Sequence, residues 1–130
     1  MAEMMAGAAL AQAAVSALRG VAGLTCVTEG KPVQAALPYL LVDAGTESDW
    51  SHKEGVGREV RLALTVHDAG EDRTRLRRLA AAADAAVATA ADALQGWRLV
   101  SFVFLRSREV SAPRGGSALL LEYRARVLAG

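Results

Sequence analysis

Apolar positions change from helical to strand-like spacing and back again along the chain. From Ala2 to Arg19 strong helix formers dominate, with Leu10, Ala14, Leu18 and Val21 at helical spacing and Gly20 where a helix would end. An amphipathic first helix is predicted there. Leu24 to Thr28 is a short β-branched run ahead of the Gly30-Lys31-Pro32 breaker, readable as a short strand or as an extended connection. Pro38 to Asp43 is a continuous apolar run, expected of a strand buried on both faces or one that begins at a proline. Gly45 to Gly57 is too polar for a core strand and reads as a long hairpin loop.

Glu59 to His67 alternates cleanly, with Val60, Leu62, Leu64 and Val66 on one face, and predicts a strand. After the turn Asp68-Ala69-Gly70, Asp72 is placed as an N-cap. Leu76, Leu79, Ala83, Val87, Ala91 and Leu94 then follow at three- and four-residue steps as far as Gly96, so a second helix of about two dozen residues is expected. Arg98 to Arg108 is apolar on both faces for much of its length, which predicts a central strand. A turn through Pro113-Arg114-Gly115-Gly116 leads to a strand from Ala118 to Leu128. There Leu119, Leu121, Tyr123, Ala125 and Val127 share one face, and Glu122, Arg124 and Arg126 take the other. The order is α-β-β-β-α-β-β: an α+β chain with four to five mainly antiparallel strands, expected as a single domain over 1–130.

Composition adds two constraints. The hydrophobic fraction is 52%, but much of it is alanine and only 5% of residues are aromatic, so the core is thin and association with other copies would help. Fifteen basic and fourteen acidic side chains leave a net charge of +1, too balanced for the basic field that drives non-specific nucleic-acid binding. The bases are nearly all arginine, which suits ion pairs at protein interfaces. Cys26 is the only cysteine, which excludes a disulfide or a cysteine metal cluster within one chain and fits a reducing cytoplasm. Glu3 stands where a signal peptide would carry basic residues, and no run approaches a membrane span.

Candidate chemistry is sparse. His52 and His67 are the only histidines, without HExxH or Cys/His spacing, and His67 reads as a solvated or interface residue at a strand end. Asp43, Glu47, Asp49 and Glu54 match no calcium-loop spacing and read as a solvated loop. Gly55-Val56-Gly57-Arg58 precedes a strand where a phosphate-cradling loop would follow one. Cys26 has no base near it in sequence and reads as buried and structural. Arg73, Arg75, Arg77 and Arg78 read as a solvated helix face partly balanced by Glu71 and Asp72. No catalytic, cofactor-binding or metal-binding residue is assigned, and no enzymatic activity is expected. Trp50 stands apart: at the tip of a polar loop it must either fold back as a lid or anchor a partner, and its residue type favours the second.

The element order, together with Pro38-Tyr39-Leu40-Leu41-Val42, Asp49-Trp50-Ser51, Gly57-Arg58-Glu59-Val60-Arg61-Leu62 and Gly96-Trp97-Arg98-Leu99-Val100, resembles the tail completion, or tail terminator, family of long-tailed phages, prophages and gene transfer agents. The resemblance runs from about Leu10 to Val127. It implies a small sheet packed against two helices, and a hexameric ring at the head-proximal end of the tail tube. That ring ends tube polymerisation and joins the tail to the head connector. The implied partners are further copies of the chain, the tail tube protein and the connector or stopper protein; no membrane, sequence-specific nucleic acid or cofactor is expected. The place of action is the virion, after assembly in the bacterial cytoplasm. Alternatives are another neck or minor tail component, such as a head completion protein, or a small ligand-binding α+β domain. A closed ring needs two different patches on each subunit. The candidates are the loop with Asp49, Trp50, His52, Lys53 and Glu54, with Arg58 beside it, and the strand face of Glu122, Arg124 and Arg126.

Overall fold

A computed structural model describes residues 4–30, 36–111 and 115–130. Lys31 and Pro32 of the expected breaker, Pro113 and Arg114 of the expected turn, and the start of the first predicted helix lie outside them. The elements are α1 (Ala6–Leu18), β1 (Cys26–Glu29), β2 (Tyr39–Asp49), β3 (Gly57–Asp68), α2 (Thr74–Val87), a 3-10 turn (Ala90–Ala93), β4 (Trp97–Ser111) and β5 (Ser117–Ala129). This is the α+β order expected from the sequence. The strands form one sheet in the order β1-β2-β3-β5-β4, antiparallel except for the parallel pairing of β1 with β2.

Alternation explains which face is covered. Val60, Leu62, Leu64 and Val66 of β3 and Leu119, Leu121, Tyr123, Ala125 and Val127 of β5 are all buried, and they meet Leu10 and Leu18 of α1 and Leu76, Leu79 and Val87 of α2 in one core cluster. Alanine lets α1 sit close to the sheet: Ala6, Ala9, Ala11, Ala13 and Ala14 are buried along with Leu10. Both helices lie on this face, and no described helix covers the other.

Four expectations are corrected. The second helix ends at Val87, because the Thr89 hydroxyl donates to the Ala86 carbonyl at 2.7 Å and the backbone tightens into the 3-10 turn. The helix cap is also displaced: Asp72 precedes the N-cap residue Arg73, and its carboxylate accepts from the backbone N–H of Thr74 at 2.9 Å. The strand beginning near Arg98 is an edge strand, because β5 pairs with β3 along its whole length and leaves β4 only the outer position. Its two-faced apolar character reflects exposed Val100, Val103, Phe104 and Val110. Finally, Gly45 to Asp49 belongs to β2, which continues past a bulge between Ala44 and Glu47 and shortens the loop to 50–56.

One buried carboxylate ties α2 to the sheet. Asp68, at the end of β3, accepts from Arg75 Nε at 2.8 Å and Nη2 at 2.5 Å, and from the Ala69 backbone N–H at 2.8 Å. The Arg75 hydrogen bonds hold its carboxyl below the ordinary carboxylate range, against the opposing effect of burial. A Cβ at residue 116 would lie 2.7 Å from the Asp68 carbonyl oxygen, and φ there is +89°, so glycine is required. A carboxyl depressed in the folded state stabilises the fold above its unfolded pKa, and that stability is lost as pH falls through the folded value. Thermal unfolding followed from neutral to strongly acid pH therefore shows an acid-labile component. Asp68→Asn is expected to weaken the protein at neutral pH and to flatten that acid limb.

Candidate functional site

The bulge in β2 turns Glu47 toward the helical side of the sheet. There its carboxylate accepts from the backbone N–H groups of Gly7 at 2.7 Å and Ala6 at 3.2 Å, at the start of α1. The helix has no side-chain cap of its own and no acid in its first turn, so Glu47 satisfies orphan N–H groups and meets the positive end of the helix dipole. Arg58 Nη1 binds the same carboxylate at 2.8 Å, and its guanidinium lies 5.8 Å from the Trp97 ring centre. Trp97 in turn donates from Nε1 to the Met4 carbonyl at 3.2 Å. Glu47 is thus a structural clamp in place of the solvated loop acid expected from the sequence, and Arg58 faces into that clamp.

From this base the 50–56 loop projects as a narrow hairpin. Trp50 N–H donates to the Gly57 carbonyl at 2.8 Å, and His52 and Gly55 exchange backbone hydrogen bonds at 3.0 and 3.2 Å. A Cβ at residue 57 would meet the Trp50 carbonyl oxygen at 2.3 Å, so only glycine fits this close approach. The Ser51 hydroxyl donates to Asp49 Oδ1 at 2.5 Å and accepts from the Gly57 N–H at 3.1 Å. His52, Lys53 and Glu54 form the exposed tip and, with Arg98, Leu128 and Ala129, line an open groove of ≈ 500 Å³.

Trp50 stands at the base of this hairpin, not at its tip. It folds back on its own sheet: the Arg126 guanidinium lies 5.4 Å from its ring centre, and His52 meets it edge-on at 4.4 Å. Arg126 also donates from Nε to Glu59 Oε1 at 3.0 Å, across the β3–β5 pairing. Loop and strand face, expected as two patches, are therefore joined through Trp50 and Arg126. The uncovered face continues along β5 to Arg124 and Glu122. Glu122 accepts from Arg106 Nε and Nη2 at 3.0 and 3.1 Å. Arg124 stands directly opposite Arg61, neither has an ion-pair partner among the described residues, and Arg124 Nε is buried without a hydrogen bond. Like charges placed opposite each other across two strands oppose pairing, so these two arginines are suited to acidic groups from outside the chain.

The remaining groups fall into place. His67 stacks on Tyr39 at 4.8 Å on the uncovered face, and burial lowers its pKa. Cys26 is half-buried on the short β1 and not fully enclosed. The arginines of α2 are balanced by acids outside their own segment: Arg75 by Asp68, and Arg77 by Glu109 of β4 at 2.8 and 3.1 Å. Among the described residues no group of three His, Cys, Asp or Glu side chains is placed to hold a metal ion. Sequence reasoning missed the clamp; the available signal was an alanine helix whose first turn contains no capping residue.

The family described as tail completion protein gp17 matches residues 5–128. The chain belongs to the tail completion protein gp17 family. A chain of the solved structure described as "Virion of native gene transfer agent (GTA) particle" is similar over 98% of this protein and 100% of its own length, with 28% identity and a TM-score of 0.66. No curated protein matches. The protein is accordingly a structural component of a phage-type virion tail.

Glu47→Ala removes the acceptor shared by two helix N–H groups and Arg58. The expected loss of unfolding free energy is about 1–3 kcal/mol by chemical denaturation. Glu47→Gln keeps one oxygen acceptor and should lose less.

Proposed function

We propose that this protein is a single-domain tail terminator that closes into a hexameric ring at the head-proximal end of the tail tube, ends tube polymerisation and joins the tail to the head connector. The observation that carries the reading is the one-sided sheet. Helices cover one face, and the other presents Arg126, Arg124 and Arg61 on paired strands, with the Trp50 ring of the hairpin beside Arg126. An aromatic and arginine surface of this kind is suited to docking a protein, since these residue types supply most of the binding energy at interfaces. The hairpin that positions Trp50 is braced by Gly57 and Ser51. Little ordering would be needed on docking.

The reading also fits the thin core. Many of the chain's apolar side chains are alanines, and a subunit of this size gains stability by burying more surface against neighbours.

Electron microscopy of tails made with and without the protein tests the proposal. Overgrown tubes and unjoined tails are expected in its absence, and ordinary joined tails would refute it. Tubes of normal length that fail to join heads would instead indicate a different neck component. Trp50→Ala is expected to leave the monomer folded and to reduce the fraction of joined particles at least tenfold, corresponding to a loss of about 1.4 kcal/mol or more at the docking surface. Normal joining by that variant would remove Trp50 from the interface.

A further inference from the structure

Charge is divided between the two ends of the sheet. Residues 20–72 carry nine acidic and four basic side chains, whereas residues 73–130 carry four acidic and ten basic ones. The outer strands of the order β1-β2-β3-β5-β4 keep this division: β1 and β2 carry four acidic side chains and no basic one, whereas β4 carries three arginines and one glutamate. The acidic segment supplies β1, β2 and β3, and the basic segment supplies β5, β4 and α2.

Among the described residues no further strand pairs with either edge of the sheet. At one end β4 offers fifteen residues of edge backbone, with Arg98 and Arg108 exposed and with Val100, Val103, Phe104 and Val110 uncovered between and beside them. At the other end β1 pairs only with Tyr39 to Val42, so β2 is itself an edge from Asp43 to Asp49. Glu29, Asp43, Ser48 and Asp49 are exposed along that flank.

We propose that the β4 edge of one copy docks against the Glu29 to Asp49 flank of the next copy, so that the sheets run on from subunit to subunit around the ring. This rests on the ring reading above. Charged edges alone have a simpler explanation, since natural sheets often carry charges and bulges on edge strands to prevent aggregation, and β4 has two bulges. That purpose does not require the two edges to carry opposite signs. Opposite signs make β4 repel another β4 and attract the β1–β2 flank, which selects a head-to-tail contact over a self-complementary one. Head-to-tail contacts are the kind that close into rings.

The test uses two charge-reversed variants, Arg98→Glu/Arg108→Glu and Glu29→Lys/Asp43→Lys. None of the four side chains forms an ion pair among the described residues, so both variants should melt like the wild type. Ring formation is read by native mass spectrometry and electron microscopy, with purified tail tubes present as templates. The wild type should form rings that weaken as salt is raised. Each variant alone has two edges of the same sign and should form none. An equal mixture should restore rings in which the variants alternate, three of each for a hexamer. Rings from either variant alone, or a mixture that stays monomeric, would overturn the interface while leaving the ring intact. A wild type that forms no ring even on tube ends would refute the ring reading itself. As a second measurement, Arg108→Lys treated with a zero-length carbodiimide should couple residue 108 to Glu29, Asp43 or Asp49 of another copy; intermolecular bonds confined to other residues would also overturn the interface.

Discussion

The carboxylate of Glu47 is the constraint on which the arrangement of this protein depends. An alanine-rich helix has little side-chain area with which to hold its own position, and α1 begins without a cap. Glu47 supplies one from the sheet, and the bulge in β2 is what turns it toward the helix. Arg58, held by the same carboxylate, brings Trp97 and the start of β4 to that corner. The 50–56 hairpin leaves from this corner, so Trp50 is presented on a fixed base, with its backbone closed on Gly57 and its ring resting on Arg126. A clamp of this kind turns a thin core into a firm platform.

The platform has one finished side and one unfinished side. Finished means helices over Val60 to Val66 and Leu119 to Val127, with Asp68 and Arg75 pinning α2 and Glu109 and Arg77 extending that hold to β4. Unfinished means a sheet face carrying two opposed arginines, a half-buried tryptophan and two open edges of opposite charge. In an isolated enzyme such surfaces would be a liability, because exposed edges recruit other strands. On the ring reading proposed above they are where neighbours attach, and membership of the tail completion family supports that reading.

Much of this fold was legible in the sequence because period is a strong signal wherever one face is buried. The alternation of β3 and β5 identified every buried residue from Val60 to Val66 and from Leu119 to Val127. Legibility failed where tertiary pairing decides. The apolar run of β4 looks central, yet β5 already occupies the place beside β3, and no local feature announces this. The polar stretch from Gly45 to Asp49 looks like a loop because its side chains serve as cap and surface while its backbone pairs with β3. The expected interaction residues divide differently in the structure: Arg58 belongs to the clamp, and Trp50 and Arg126, 76 positions apart in number, form one contact. A pair that far apart leaves no trace in local spacing.

On the reading proposed above, the unfinished side of the sheet and its edges are assembly surfaces within a tail. Electron cryomicroscopy of intact particles that resolves this subunit tests it most directly. The expected result is a closed ring of copies at the head-proximal end of the tube, with Trp50 and Arg124 covered by protein. A subunit found elsewhere in the particle, or one in place with Trp50, Arg61 and Arg124 all facing solvent, would contradict it.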